Sequence, residues 1–272
     1  VPVQHHYAHV AGLMAEHRVD EIVGVCCDGY GYGDDGSAWG GEIIFADGTI
    51  HKRVAHLEPQ PMLGGDLATK YPLRVAAGIL RNEPKIAEWL FERQSHLPHG
   101  REEAGLILKQ LGSSGVPLTT SCGRVLDAVS AILGLCYERT YEGEPAMKLE
   151  SASIGGRDRL NLQPALSGQS IETTPMVREI FASLGRLSVR DLAYSAQAYM
   201  ARSLGESAIE TAMDLGVKAI GFTGGVACNE QITCNLREIV EKQGLRFLVH
   251  ETVPPGDGGV SFGQAVAATL DS

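Results

Sequence analysis

The sequence has 272 residues, of which 44% are hydrophobic and 21% charged, with a formal net charge of −10. This length is enough to bury a proper core in one large domain. Because no run of Lys or Arg offsets the acidic balance, binding to nucleic acids or to anionic membranes is disfavoured. No apolar stretch approaches the length of a membrane span. The six cysteines contain no C-x-x-C pair, which predicts reduced thiols and a cytoplasmic location.

The spacing of apolar residues predicts strands that alternate with helices, which is typical of an α/β sheet protein. The first half is predicted as a helix over residues 4–18, strands over 21–27, 41–46 and 50–57, a Pro/Gly loop over 59–65, and helices over 66–81, 84–94, 101–111 and 121–135. Asp47-Gly48 is a hairpin signal between the second and third strands, and Ser121 is the expected N-cap of the helix that follows it.

The second half continues the alternation. It is predicted as a turn over residues 141–145, short strands within 151–175, a long helix over 188–214, a strand over 217–222, a helix over about 228–243, a strand over 246–250 and a helix near 260–270. The chain begins with Val1 inside an apparent helix, which indicates a fragment of a longer polypeptide.

Three histidines lie within five residues near the start of the chain. On a helix, His5 and His9 share one face, and that pair can hold one divalent metal if a carboxylate arrives from elsewhere. His6 occupies the slot in which an H-E-x-x-H metalloprotease carries Glu, which excludes that class. The alternative is a set of solvated or capped histidines without a ligand role.

A Gly-rich segment follows the first predicted strand and begins with Asp28. A carboxylate at the carboxyl end of a strand, backed by glycines, suits Mg²⁺ or phosphate. The segment matches neither a P-loop nor a dinucleotide-binding fingerprint, since a hairpin rather than a helix follows. An ordinary loop remains the alternative.

A second candidate lies where the strand over 217–222 leads into Gly224-Gly225 and a helix. Backbone N–H groups and the helix dipole favour an anionic phosphate at such a turn, although a close strand–helix turn has the same signature. Asp257 stands in a Pro/Gly-rich loop, where Asp is usually a turn former. It becomes interesting as a third or fourth ligand beside the histidine pair.

Taken together, these motifs resemble the C-terminal carbamoyltransferase domain of the HypF hydrogenase maturation proteins. That domain type is similar to the tRNA threonylcarbamoyl-transfer subunit and to antibiotic O-carbamoyltransferases. The resemblance runs along nearly the whole chain and is carried by residues 3–9, 28–42, 64–66, 121–135, 141–150, 224–229 and 257–265. The long segment over 28–42 favours HypF over its relatives.

The resemblance implies an α/β, actin-like (ribonuclease H-like) fold with two lobes, of which the first is N-terminally incomplete. The whole chain, 1–272, is then one domain with a metal-binding helix in residues 1–20 and a remainder, 21–272, that is mainly the second lobe. Nucleotide is expected in the cleft between the lobes.

The resemblance also implies a site. One divalent metal, iron or zinc, is expected on His5, His9, Asp28 and Asp257, and Mg²⁺ is a further candidate cofactor. ATP or carbamoyl-adenylate is expected to contact Gly29, Gly31, Asp127, Gly143, Glu150, Gly224, Gly225 and Asn229. No residue of this chain is assigned a catalytic role, and no catalytic cysteine is expected. Upstream HypF domains are expected to supply carbamoyl-adenylate, and the C-terminal cysteine of a HypE-type acceptor to take the carbamoyl group.

Two positions depart from the family pattern. Tyr7 stands where a third consecutive histidine is common, and Lys148 stands where an acidic residue facing the ribose is expected, so that Glu150 is the substitute. Two other functions stay open at this point. One is carbamoyl transfer to another acceptor, either a tRNA adenosine or a small-molecule hydroxyl. The other is a nucleotide-binding docking module without chemistry.

Overall fold

The computed structural model describes residues 1–48 and 50–270. The helices are α1 (His5–His17), α2 (Leu67–Lys70), α3 (Leu73–Ile79), α4 (Ile86–Glu92), α5 (Gly100–Gln110), α6 (Cys122–Ile132), α7 (Glu144–Ser153), α8 (Thr174–Ala182), α9 (Val189–Leu215), α10 (Glu230–Glu241) and α11 (Val260–Leu270). The strands are β1 (Glu21–Tyr32), β2 (Ala38–Asp47), β3 (Ile50–Leu57), β4 (Gln60–Pro61), β5 (Leu118–Thr119), β6 (Leu166–Ser167), β7 (Ser170–Ile171), β8 (Ala219–Thr223) and β9 (Arg246–Val249). Within the described ranges, no helix is both long and apolar enough to cross a membrane.

The strands of the described residues form one mixed sheet. Its main path runs β6-β7-β3-β2-β1-β8-β9, and β5 joins β2 and β4 beside that path. β1, β2 and β3 are antiparallel neighbours, whereas β1, β8 and β9 run parallel. In the β1–β8 register Cys26 lies opposite Thr223, the last pair of the parallel ladder. Asp28 in β1 and the Gly224-Gly225 turn after β8 therefore both come just beyond that last pair. The carboxyl ends of parallel strands are a common place for ligand sites.

Both faces of the central strand β1 are buried, which explains its nearly continuous apolar sequence. Alternate residues point to opposite faces. Val23 and Val25 belong to the large core that includes side chains of α3, α6 and α9. Ile22 and Cys26 belong to a second, smaller core under α1. The site described below lies at the end of this doubly covered strand.

Several predicted elements agree with the structure. The helix over 4–18 is α1, the helix over 188–214 is α9, and Ser121 N-caps α6 by accepting from the Arg124 N–H at 3.2 Å. The predicted hairpin of β2 and β3 is present, with Gly48 at φ 54°, while Thr49 lies outside the described residues.

Other elements differ from the predictions. β1 continues to Tyr32 with a register shift between Cys27 and Gly31, so part of the predicted Gly-rich loop is strand. The predicted helix over 66–81 divides into α2 and α3 at Tyr71-Pro72, because the residue before proline is disfavoured in helical conformation.

The prediction of a turn at 141–145 and of short strands over 151–175 was partly wrong. Helix α7 begins at Glu144, and α8 follows the short strands β6 and β7. Both helices carry proline in their first turn, at Pro145 and Pro175. Proline suits that position because its missing N–H would have no helical partner there.

Helices α1 and α11 pack closely because glycines meet at their contact. An added Cβ on Gly263 would lie 1.8 Å from the Ala8 carbonyl oxygen. The backbones of the two helices therefore touch at this point, and α11 holds α1 against the sheet. Gly12, on α1, faces Gly263 and the Phe262 ring in the same contact.

Gly263→Ala is expected to destabilise the protein by about 1–3 kcal/mol, since the methyl group has no room and the helices must separate. Gly105→Ala is the matched control, because a Cβ there meets nothing within 4 Å and alanine favours a helix by up to about 1 kcal/mol. Urea unfolding of both variants measures the difference. Equal stability of the two variants would contradict the close contact of α1 with α11.

Candidate functional site

Helix α1 presents the first two site residues. The Gln4 side chain accepts from the Tyr7 N–H at 2.7 Å and so caps the helix start. His5 and His9 then lie one turn apart on the same face. Their imidazoles are in edge contact, with ring centroids 4.9 Å apart. The helix thereby points two ring nitrogens towards the ends of β1 and β8.

Two carboxylates complete the cluster from separate parts of the chain. Asp28 Oδ2 lies 3.6 Å from His5 Nε2 and 3.3 Å from His9 Nε2. Asp257 Oδ1 lies 3.5 Å and 3.8 Å from the same two nitrogens. The four ligand atoms all lie within 4.8 Å of one another. The structure thus brings together all four residues that the sequence assigned to a metal.

The atoms of this cluster fit a metal ion. His5 Nε2, His9 Nε2 and Asp28 Oδ2 are buried, and none has a hydrogen-bond partner among the described residues. Buried polar atoms normally have one. Two imidazole nitrogens with two carboxylate oxygens form a donor set that suits zinc or iron. The cluster therefore has the chemistry and the unmet bonding capacity of a metal centre.

The surroundings of Asp28 favour the ionised form of its carboxyl. Burial alone would raise the pKa of its carboxyl, but the imidazoles of His5 and His9 and the Gly29 N–H hold that pKa well below its usual range. The Gly29 N–H donates to Asp28 Oδ1 at 2.7 Å, which leaves Oδ2 for the cluster. A Cβ on Gly225 would lie 3.1 Å from Oδ1, so glycine leaves room for this carboxylate.

A cleft of about 460 Å³ opens beside the cluster and is of a size that suits a small-molecule ligand. Its lining comes from the end of β1, from α6, from the start of α7, from the turn after β8 and from the turn before α11. The lining residues are Asp28, Gly29, Gly123, Arg124, Leu126, Asp127, Arg139, Glu142, Gly143, Ala146, Met147, Glu150, Gly225, Val226, Cys228, Asn229, Gly256, Asp257 and Gly258.

The charges in this lining are unbalanced. Five carboxylates line the cleft, whereas two guanidinium groups, those of Arg124 and Arg139, oppose them. A phosphate group would meet repulsion from the carboxylates unless a cation is bound with it. The acidic cleft and the metal-type cluster are therefore complementary: a cation on the cluster would let the cleft accept an anionic ligand.

Asp127 is the most unusual residue of the cleft. Its side chain is 1% exposed, and the Arg124 guanidinium lies 2.7 Å from its Oδ2 as an ion pair. The alignment is not that of a hydrogen bond, and both carboxylate oxygens lack such a partner within the described part of the chain. Burial raises the pKa of Asp127, and Arg124 opposes that shift. The wall of the cleft therefore contains two buried carboxylate oxygens that can still accept hydrogen bonds.

Six of the eight predicted nucleotide contacts line the cleft: Gly29, Asp127, Gly143, Glu150, Gly225 and Asn229. Gly31 and Gly224 do not. A Cβ on Gly31 would meet the rings of His5 and His6 at 2.5 Å or less, and one on Gly224 would meet the Cys27 carbonyl oxygen at 2.2 Å. These two glycines let α1 and the turn after β8 approach β1.

The polar side chains of Glu150 and Asn229 already have structural partners. Glu150 Oε1 accepts from the Glu230 N–H at 2.7 Å, and Asn229 Oδ1 accepts from the Ile232 N–H at 2.9 Å, so both cap the start of α10. Asn229 Nδ2 also donates to Gln197 Oε1 at 2.8 Å. Because these polar atoms are already hydrogen-bonded, Glu150 and Asn229 contribute to ligand binding mainly by shaping the cleft.

Lys148 lies away from the cleft. Gly143, Met147 and Glu150 line the cleft at helical spacing, which turns Lys148 to another face of α7. There its Nζ lies 2.8 Å from Glu144 Oε1. The lysine that stands at position 148 in place of the expected acidic residue consequently places no positive charge in the cleft.

Sequence reasoning did not single out Arg124 and Arg139, the two cations of the cleft. Arg124 could have been found, because it precedes Asp127 by three residues on the predicted α6 and so shares its face. Arg139 lies in an irregular segment, held by the bond from its backbone N–H to the Lys70 carbonyl at 2.8 Å. No periodic signal marks such a position.

Comparisons with known proteins identify the family of the chain. The family model described as carbamoyltransferase, Kae1-like domain, second subdomain, matches residues 24–264. The probable carbamoyltransferase HypF of Methanocaldococcus jannaschii is 41% identical over 98% of this chain and 35% of its own length. The chain therefore spans about a third of that relative.

Solved structures agree as well. The crystal structure of HypF from T. kodakarensis superposes with a TM-score of 0.91 at 41% identity, over 99% of this chain and 36% of that one. A full-length HypF described as phosphate- and nucleotide-bound superposes with a TM-score of 0.89 at 30% identity, over 98% of this chain and 42% of that one. These matches confirm the predicted α/β, actin-like fold class. By sequence and by fold, the chain belongs to the Kae1-like carbamoyltransferase domain family of HypF proteins.

Proposed function

We propose that this chain transfers a carbamoyl group from carbamoyl-adenylate to the C-terminal cysteine of a HypE-type acceptor, as a step in the maturation of nickel–iron hydrogenases. The observation that carries the proposal is that the four-residue cluster and the cleft share two residues, Asp28 and Asp257. Asp127 and Arg124 line the same cleft. A solved relative described as phosphate- and nucleotide-bound supports a nucleotide in this cleft.

The cleft would hold the adenylate by three kinds of contact. The carboxylate oxygens of Asp127, which have no hydrogen-bond partner among the described residues, would accept hydrogen bonds from ribose hydroxyl groups. Apolar atoms of Ala146, Met147 and Val226 would cover the base. The guanidinium groups of Arg124 and Arg139 would stabilise the phosphate and the charge that develops on it as the carbamoyl group leaves.

The metal held by His5, His9, Asp28 and Asp257 would be iron or zinc, and Mg²⁺ would be a further cofactor. When bound, it would act as a Lewis acid towards a phosphate or carbamoyl oxygen. Asp28 would serve both the metal and the cleft, because its Oδ2 lies beside the histidines and the residue also lines the cleft.

The attacking thiol would come from the acceptor. Cys26, Cys27, Cys122 and Cys136 are buried. Cys228 lines the cleft, but burial, together with the charges of Glu150 and Asp28, raises the pKa of its thiol. A raised pKa lowers the thiolate fraction, and the thiolate is the nucleophile. Upstream HypF domains would supply carbamoyl-adenylate. The acidic composition continues to disfavour nucleic acid as a partner, and the cytoplasm remains the predicted location.

His9→Ala is expected to weaken binding of Zn²⁺ by more than about 100-fold, because it removes a ligand. Changing a residue that only hydrogen-bonds to a ligand usually lowers metal affinity by about 10- to 100-fold. His99→Ala is the control, because His99 is exposed and lies at the start of α5, outside the cluster. Competition with a chromophoric chelator measures both affinities. Equal zinc affinity of the two variants would argue against the metal site.

Asp127→Asn is expected to lower the affinity for ATP or a stable adenylate analogue about tenfold, because an amide offers one acceptor where the carboxylate offers two. Lys148→Met should leave that affinity unchanged, since Lys148 pairs with Glu144 outside the cleft. Isothermal titration calorimetry compares the two variants. A larger loss in Lys148→Met than in Asp127→Asn would contradict the assigned cleft.

The transfer itself is tested by mass spectrometry of the acceptor. The chain is mixed with the upstream segments of a HypF protein, ATP, carbamoyl phosphate and a HypE-type acceptor. One carbamoyl group is expected on the terminal cysteine, and none on an acceptor with that cysteine changed to serine. Carbamoylation should fall at least about 100-fold in His5→Ala/His9→Ala if the metal stabilises developing charge. Modification of a tRNA or of a small-molecule hydroxyl instead would reassign the acceptor. Tight ATP binding without any turnover would favour a docking module.

A further inference from the structure

Four residues form one stripe along helix α1: His5, His9, Gly12 and Glu16. Spacings of four, three and four residues keep all of them on one face of the helix. His5 and His9 belong to the metal-type cluster, and Gly12 allows the close contact with α11. Glu16 lies at the other end of the stripe, where α1 passes the end of β9. The proposed function assigns Glu16 no role.

Glu16 holds the start of the loop that leads to Asp257. Its Oε1 accepts from the backbone N–H groups of residues 251, 252 and 253, at distances from 2.5 to 3.3 Å. Its Oε2 lies 2.7 Å from His250 Nδ1, which must donate because a carboxylate only accepts. Burial alone would raise the pKa of Glu16, but these hydrogen bonds lower it to about 2. Glu16 is therefore an anion with four donors around it.

His250 links this carboxylate to the other anchor of the loop. His250 Nε2 lies 3.0 Å from the hydroxyl of Thr223, the last residue of β8. The Thr223 hydroxyl also lies 3.4 Å from the Pro255 carbonyl oxygen, which accepts from the Gly224 N–H at 2.9 Å. The loop over 251–256 is thus fixed at its start by Glu16 and near its end by β8.

Asp257 needs this support more than the other three ligands do. The His9 side chain is 1% exposed and the Asp28 side chain 11%, so packing holds both of them. The Asp257 side chain is 67% exposed. Little packing restricts its carboxylate, and its position therefore depends on the backbone that carries it.

We propose that Glu16 and His250 are positioning residues for the metal site: they fix the loop over 251–256 so that Asp257 reaches His5 and His9. One helix then supplies both histidine ligands and, three turns along, the carboxylate that places the exposed ligand. This inference depends on the metal site of the proposed function.

The test uses Glu16→Gln, which keeps the shape of the side chain and removes its charge. Glu58→Gln is the matched control, because Glu58 also caps backbone N–H groups, those of Thr173 and Thr174 at 2.9 and 2.7 Å, at the start of α8. Both variants should lose comparable stability. Zinc affinity, measured by chelator competition, should fall roughly 10- to 100-fold in Glu16→Gln and remain unchanged in Glu58→Gln.

A double-mutant cycle separates positioning from general weakening. In an Asp257→Asn background, where the exposed ligand is already impaired, Glu16→Gln should cause little further loss of zinc affinity. An equal loss in both backgrounds would overturn the proposal, as would a Glu16→Gln single variant that binds zinc like the wild type. If the wild type itself binds no zinc, the metal site of the proposed function fails instead.

Thr223→Val gives a second route if Glu16→Gln does not fold. Valine matches threonine in shape but removes the hydroxyl between His250 and Pro255. All contacts of Glu16 stay in place, so the fold should persist. A several-fold loss of zinc affinity is expected, smaller than that of Glu16→Gln, and unchanged affinity would contradict the role of this network.

Discussion

Strands β1 and β8 run parallel at the centre of the sheet, and the site depends on their register. With Cys26 opposite Thr223 as the last pair, the residues beyond that pair lie side by side. Asp28 stands at the irregular part of β1, and Gly224-Gly225 leaves β8 beside it. A shift of one residue would turn Asp28 towards the opposite face of the sheet. The apolar residues that fill both faces of β1 fix that register, so the hydrophobic core determines where the carboxylate lies.

Glycines then bring other elements up to this edge. Gly123 lets α6 approach within van der Waals contact of Gly29, and Gly31 leaves room for the histidine rings of α1. Gly263 brings α11 onto α1. The contacts of Gly123 and Gly263 join backbones that side chains would separate. The result is a set of buried polar atoms without hydrogen-bond partners in the described part of the chain, at His5, His9, Asp28 and Asp127. Such costly atoms are expected where a protein binds a ligand, since elsewhere they would only destabilise it.

The sequence predicted most of the fold and the metal-type cluster, for identifiable reasons. Helical periodicity and Ser188, which caps α9, mark the longest helix clearly. The four cluster residues stand in segments whose chemistry or family resemblance is visible along the chain. The sequence analysis predicted a turn over 141–145 and short strands within 151–175 and so missed the helices α7 and α8, although Pro145 and Pro175 suit a first helical turn. The bonds from Glu16 to His250 and to the loop after it connect residues more than 230 positions apart. No local pattern could have predicted them.

Two ligands of the cluster are buried and rigidly held, and the other two are accessible from solvent. His9 and Asp28 are held by the core, whereas His5 and Asp257 face the open side, with side chains 22% and 67% exposed. A fully buried set of four ligands would leave a bound ion no room for a substrate oxygen. An exposed ligand keeps that side open, but packing then cannot fix it. Its loop must be fixed through backbone bonds instead, and Glu16, Thr223 and Gly224 provide them from the elements that also position His9 and Asp28. The cluster can therefore be open on one side and still be precise. Helix α1 and the strand pair β1–β8 position both its buried ligands and its exposed ligands.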